Sequence, residues 1–164
     1  MIEKNVAALL RTLATRHPRT VSAVAFGVVT MVVIHLAWSP SARMSGLTPA
    51  LTVAAGLVHA VAAGFTGPRL LNGARTRSLS DAAIVGACTS LLALALFSPS
   101  YAAFLFATEL HPTSRFSYFA VPLFIAVFGF LAAGWALLLV SIAVACVLYR
   151  IANTAPQTSR PTVR

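Results

Sequence analysis

The sequence predicts an all-helical membrane protein: a bundle of four transmembrane helices with both termini on the cytoplasmic side. Three observations lead there. Four long apolar stretches, residues 20–38, 48–66, 82–98 and 119–149, contain no Asp, Glu, Lys or Arg. The chain is 59% hydrophobic and 9% charged with a mean hydropathy of +0.87, far from the soluble average. Its basic residues also alternate from loop to loop. Lys4, Arg11, Arg16 and Arg19 precede the first stretch, Arg69, Arg75 and Arg77 lie between the second and third, and Arg150, Arg160 and Arg164 follow the fourth. Only Arg43 and Arg115 occupy the other two loops. Lys and Arg are retained on the cytoplasmic side, so this asymmetry sets the orientation. Helical spans further point to an inner, or plasma, membrane, because outer membranes use barrels.

A formal net charge of +9 would suggest a nucleic-acid partner in a soluble protein. Here it reads as topology plus attraction to anionic lipid headgroups, with Arg11, Arg16, Arg69, Arg75 and Arg77 as the contacts and no nucleic acid expected.

Residues 1–19 form a basic amphipathic segment on the cytoplasmic face. Ile2, Val6, Leu9, Leu10 and Leu13 recur at helical spacing while Lys4, Arg11 and Arg16 fall elsewhere on the wheel, a pattern suited to a short helix lying on the inner leaflet. The apolar run that follows exceeds a signal-peptide core and lacks a convincing small-residue cleavage site, so it is read as the first span.

About 20 residues rising 1.5 Å each cross a hydrocarbon layer roughly 30 Å thick, and the first two stretches fit that length. The third becomes long enough as 80–98, with Ser80 and Asp81 as caps beside the positive end of the helix dipole. Asp81 is accordingly a cap rather than a catalytic acid. The fourth run is longer than the bilayer requires. Pro122 suits its first turn, and its excess length predicts tilt or an initial stretch in the outer interface. Residues 20–150 thus make one membrane domain with short connections. Residues 151–164, with Pro156, Pro161 and several Ser and Thr, read as a disordered tail.

The loops carry a weak internal echo. Trp38–Ser41 and Phe97–Ser100 each place Ser-Pro-Ser after an aromatic residue. Arg43, Met44, Ser45 and Pro49 are echoed by Arg115, Phe116, Ser117 and Pro122. Both elements fall on one side, which suggests a tandem repeat of two helical hairpins in parallel orientation. The run Tyr101–Leu110 is apolar but too short to cross, so a half-buried interfacial helix is expected there. Tyr101, Phe104, Phe106, Phe116, Tyr118 and Phe119 would form an outer aromatic belt.

Small residues predict where spans meet. Gly56, Ala60 and Gly64 on the second span, Gly86 and Ser90 on the third, Gly129 and Ala133 on the fourth, and Ala23 with Gly27 on the first recur every four positions. Such spacing lets helix backbones approach closely in lipid, within the bundle or in an oligomer.

Candidate chemistry is sparse. An ionisable Asp, Glu, Lys or Arg kept inside a span is the usual mark of a proton or ion pathway, and the four stretches hold none. His35 and His59 differ in depth by about 11 Å, so they are not expected to share a haem. His59, mid-span beside the small-residue face, is read as hydrogen-bonded to a neighbouring helix. His35, Glu109 and His111 fall on one outer side and form a weak candidate metal set; no cofactor is expected. Cys88 and Cys146 lie inside spans without a C-x-x-C pair and are read as buried free thiols. Thr30, Thr89, Ser90 and Ser141 sit in no nucleophile motif and are expected to bond their own helix backbones.

Three functional classes follow. A structural or accessory subunit packing with a larger membrane complex or with itself accounts for the small-residue faces, the aromatic loop and the scarcity of chemistry. It is the leading expectation, with the lipid bilayer and other membrane subunits, or a homo-oligomer, as partners. A small-solute or lipid transporter comes second, and a membrane enzyme with an outer metal site third; the expectation is that the chain is not an enzyme.

Overall fold

A computed structural model of the protein describes residues 9, 12–14, 16–37, 47–71, 78–108 and 114–153, with side chains described for most of them. The architecture is all-helical: α1 (Pro18–Ala37), α2 (Leu47–Leu71), α3 (Leu79–Thr108), α4 (Ser117–Gly129), a π turn (Phe130–Gly134) and α5 (Trp135–Asn153). Four stretches are long and apolar enough to cross a membrane, Pro18–Leu36, Ala50–Leu71, Leu79–Thr108 and Ser117–Asn153, the last combining α4, the π turn and α5. The fold is therefore compatible with a multi-pass membrane protein.

These helices are sorted by side chain in the reverse of a soluble bundle. Val24, Val28 and Val32 on α1, and Val53, Leu57, Val61 and Phe65 on α2, project outward at four-residue spacing. The opposite faces bury Ser22, Phe26 and Thr30 on α1, and Thr52, Gly56, His59, Ala63 and Gly67 on α2. A lipid tail is as apolar as leucine, so large aliphatic groups gain nothing by moving inward, whereas hydroxyls and imidazoles do. Small residues complete the interior by admitting the neighbouring backbone.

Packing is closest between α1 and α2 and between α3 and α5, with α2 joined to α3. A Cβ added at Gly27 would lie 3.0 Å from Ala60 Cβ and 3.1 Å from the Gly56 carbonyl oxygen. At Gly56 the same addition would meet the Met31 side chain, and at Gly67 it would meet Ser22. Gly86 is the tightest against backbone: its added Cβ would sit 2.6 Å from the Ser141 oxygen and 2.9 Å from Ile142 Cα. Gly64 and Gly129, by contrast, have open space where a Cβ would go, so the four-residue spacing extends beyond the faces actually in contact. An apolar cluster of Ala14, Leu70, Leu71, Ala82 and Leu148 closes the end of the bundle where α1 begins and α5 finishes, and Phe26, Ala63 and Ala145 continue it inward.

Several boundaries differ from the sequence reading. The third span does not stop at residue 98, and among the described residues 101–108 form no separate interfacial helix, because α3 runs unbroken to Thr108. Pro99 inside it offers no N–H to the helix. Ser98 and Ser100 on either side donate their hydroxyls to the Leu94 and Leu96 carbonyls at 2.9 and 2.8 Å, and Thr108 to Phe104 at 2.9 Å. Such side-chain bonds help a membrane helix accommodate proline. The start of α3 is capped by Ser78 rather than Ser80. The Asp81 N–H donates to Ser78 Oγ and the Ser78 N–H to Asp81 Oδ2, both at 3.1 Å, a reciprocal box at the positive helix end. Pro122 falls in the second turn of α4, not the first. Cys88 is exposed and Cys146 half-buried, so neither thiol is a core residue.

The aromatic residues expected to form a belt lie near one another at one end of the helices. Phe116, Tyr118 and Phe119 are exposed, Phe106 and Tyr118 pack at 5.1 Å between ring centroids, and Phe97, Tyr101 and Phe104 stack along α3. Of the loop echo, Trp38–Ser41, Arg43, Met44 and Ser45 lie outside the described residues, as does the tail from 154, while Phe97–Ser100 is interior to α3.

Candidate functional site

Thr30, His59, Ser90 and Ser141 each stand about 12 residues from the same end of the bundle, marked by Pro18, Leu71, Leu79 and Asn153. At 1.5 Å per residue that is about 17–18 Å along each helix, and hydrogen bonds bring three of these groups, Thr30, His59 and Ser141, together. Thr30 Oγ1 lies 2.9 Å from His59 Nδ1, and Ser141 Oγ lies 3.1 Å from His59 Nε2. The ring is thus held from both sides by α1 and α5, and Phe26 stacks on it at 5.8 Å with 29° between planes. His59 meets neighbouring helices as its depth suggested. Thr30 and Ser141 differ from expectation, since they bond the imidazole and not their own backbones.

A second hydroxyl pair lies nearer the closed end. Thr66 Oγ1 and Thr89 Oγ1 are 2.7 Å apart, Thr89 donates to the Val85 carbonyl at 2.7 Å, and Thr66 also reaches the Ala62 carbonyl at 3.2 Å. Two hydroxyl protons serve three such contacts, so the longest is the weakest. This pair ties α2 to α3 and is structural.

On the other side of His59 the bundle opens into a cavity of about 640 Å³. His59, Thr30 and Ser90 line it with polar groups; its apolar walls come from Ile34, Leu51 and Ala55, from Leu94, Phe97 and Tyr101 on α3, and from Phe124, Phe128 and Phe130 of the fourth span. Two features of the fourth span leave this space. Helix α4 lies against α3 but buries no residue among those described, so the first half of the fourth span packs only loosely on the bundle. The chain then passes through a π turn, in which the Trp135 N–H donates to the Phe130 carbonyl five residues earlier. A Cβ at Gly134 would lie 2.8 Å from the Phe130 ring, so the glycine leaves that ring where it is. Single π turns inside α-helices occur frequently at functional sites. This one presents Phe130, Ala132, Ala133 and Gly134 to the cavity before α5 packs onto α3.

No Asp, Glu, Lys or Arg lines the cavity among the described residues. The volume falls within the range of small-molecule sites, which are mostly apolar with a few placed polar groups. Leu91, Phe124, Phe128, Gly129 and Ala132 line it and are exposed, so the cavity is not sealed where α3 and the fourth span border it.

The residues singled out by sequence divide accordingly. Gly56, Ala60 and Gly86 lie at helix crossings, Ser90 and Ala133 at the cavity, and Gly64 and Gly129 against open space. Arg16 and Arg69 are exposed, while Arg11, Arg75 and Arg77 lie outside the described residues. His35 is exposed near the end of α1, and Glu109 and His111 are outside the described residues. Among the described residues no three His, Cys, Asp or Glu side chains converge. The polar level around His59 was missed as a unit, although counting residues from span ends brings Thr30 and Ser141 to its depth. Comparison of the chain with known protein families, with curated proteins and with solved structures finds no match.

Proposed function

We propose that this chain is a small plasma-membrane protein, with both termini cytoplasmic, that binds a mainly apolar small molecule within the bilayer. The observation that carries the reading is the 640 Å³ cavity with one wall of hydroxyl and imidazole groups set at mid-bundle. Hydrophobic packing alone leaves no reason for an interior to be both spacious and locally polar, since close packing is the norm in folded interiors. The role is binding or carriage, as in the transporter reading, and no reaction is assigned to the site. The preponderance of Lys and Arg in the loops at the termini supports the orientation.

The test is native mass spectrometry after gentle extraction, with every co-migrating chain, lipid and small molecule identified. A small molecule bound to wild type and lost from the double variant Gly129→Leu/Ala133→Leu, which fills the cavity wall, is the expected result. Its absence from wild type under conditions that retain annular lipid overturns the reading.

A second reading, a structural or accessory subunit, is favoured by α4 alone. Phe119, Leu123, Phe124 and Phe128 are all more than half exposed on a helix with no buried residue. Another membrane subunit, or a second copy, would cover that face. A foreign protein at fixed stoichiometry in the same measurement supports this role.

A further inference from the structure

Resting on the cavity reading, we infer that the ligand is an uncharged amphiphile, entering from the bilayer, whose single carbonyl or hydroxyl headgroup is anchored at Ser90 and Thr30. Ser90 is 8% exposed, lines the cavity and makes no hydrogen bond. In the cavity an oxygen acceptor on a ligand would take the proton that no protein group accepts. Thr30 supplies a second donor by a proton count. Any protonation state of the His59 ring donates through at least one nitrogen, so at least one of its two hydroxyl partners accepts and keeps its own O–H unspent. When Nδ1 donates to Thr30 and Ser141 donates to Nε2, the unspent proton belongs to Thr30, which lines the cavity. Two hydroxyl donors then line the same cavity and offer their protons to an oxygen acceptor within it.

The remaining wall excludes other classes. Leu94, Phe97, Phe124 and Phe128 offer nothing to a sugar or an amino acid, whose further polar groups would be buried without partners. A carboxylate or phosphate would meet no counter-charge among the described lining residues, and a quaternary ammonium would have aromatic faces but no carboxylate to pair with and no use for the hydroxyls. Ser90 and Tyr101 are about 16 Å apart along α3, which gives room for an apolar body beyond the headgroup. The exposed lining residues of α3 and the fourth span favour the bilayer as the source, because a molecule passing between these helices would reach the cavity without crossing water.

Photoaffinity labelling of the full chain in lipid nanodiscs decides the matter. Three diazirine probes of equal chain length, ending in an alcohol, a carboxylate and a trimethylammonium group, are compared by peptide mapping. The expected result is labelling of 94–101 and 124–134 by the alcohol about tenfold above the charged probes, measured against the lipid-facing segment 24–32. Ser90→Ala should reduce the alcohol label about fivefold to tenfold, in keeping with one lost hydrogen bond, and Ser90→Thr should retain it. Equal labelling by all three probes, abolished in each case by Gly129→Leu/Ala133→Leu, leaves the cavity as a binding site and overturns the uncharged headgroup. An unchanged label in Ser90→Ala overturns the anchor. Labelling of 94–101 and 124–134 no stronger than that of 24–32 overturns the cavity reading itself.

Discussion

The two halves of this bundle solve the same packing problem differently. Toward the ends marked by Pro18, Leu71, Leu79 and Asn153, glycines bring backbones into contact, Gly86 against Ser141 and Ile142, and the cluster of Ala14, Leu70, Leu71, Ala82 and Leu148 closes the interior. Toward Ala37, Leu47, Thr108 and Ser117, the interior is bordered by phenylalanines, α4 buries nothing and a cavity remains. His59 with Thr30 and Ser141 marks the boundary. Since lipid supplies no hydrophobic drive between helices, association has to come from close van der Waals contact and interhelical hydrogen bonds. Where small residues permit approach the helices lock; where bulky rings and a π turn hold them apart, room for a ligand persists.

The comparison is broken most severely at Gly86. Gly86→Leu forces a side chain into backbone atoms that have no rotamer to adopt, and we expect a loss exceeding ~3 kcal/mol with little folded protein recovered from detergent. Thermal unfolding followed by circular dichroism checks it; a melting temperature equal to that of wild type would mean that the closed half is not locked. His59→Ala comes next. It removes two interhelical bonds and the ring against Phe26, at a cost of about 2–3 kcal/mol. Ser141→Ala, which leaves the Thr30 bond intact, should cost about 0.6–1.7 kcal/mol, and a double-mutant cycle with His59→Ala should show coupling of similar size. The smallest effect sharpens the contrast. Gly129→Ala adds its methyl to open space and improves helix propensity, so unfolding should show no loss and up to ~1 kcal/mol of gain, opposite in sign to Gly86→Ala.

Much of this was legible in the chain because hydropathy is a local property. A charge-free run of about 20 residues has one economical fate, a helix across a bilayer, since every backbone amide must find its partner within the segment. Ends were less legible. Pro99 looked like the close of the third span, yet the helix passes through it with Ser98 and Ser100 bonded to carbonyls on either side. Glycine spacing was ambiguous for a related reason: Gly86 and Gly129 have the same local pattern, and only the position of the neighbouring helix makes one a contact and the other a gap. The hydroxyls around His59 are likewise ordinary span residues until three helices bring them to one level.

The sequence by itself determined that the protein consists of apolar helices of membrane-crossing length and which loops carry its basic charge, because both follow from transfer of side chains between water and hydrocarbon. Tertiary structure alone decided which polar atoms meet, where the helices touch and where they leave a cavity. Those outcomes depend on contacts of His59 with residues as far apart in sequence as Thr30 and Ser141, whose relative rotation and depth are set by the packing of whole helices.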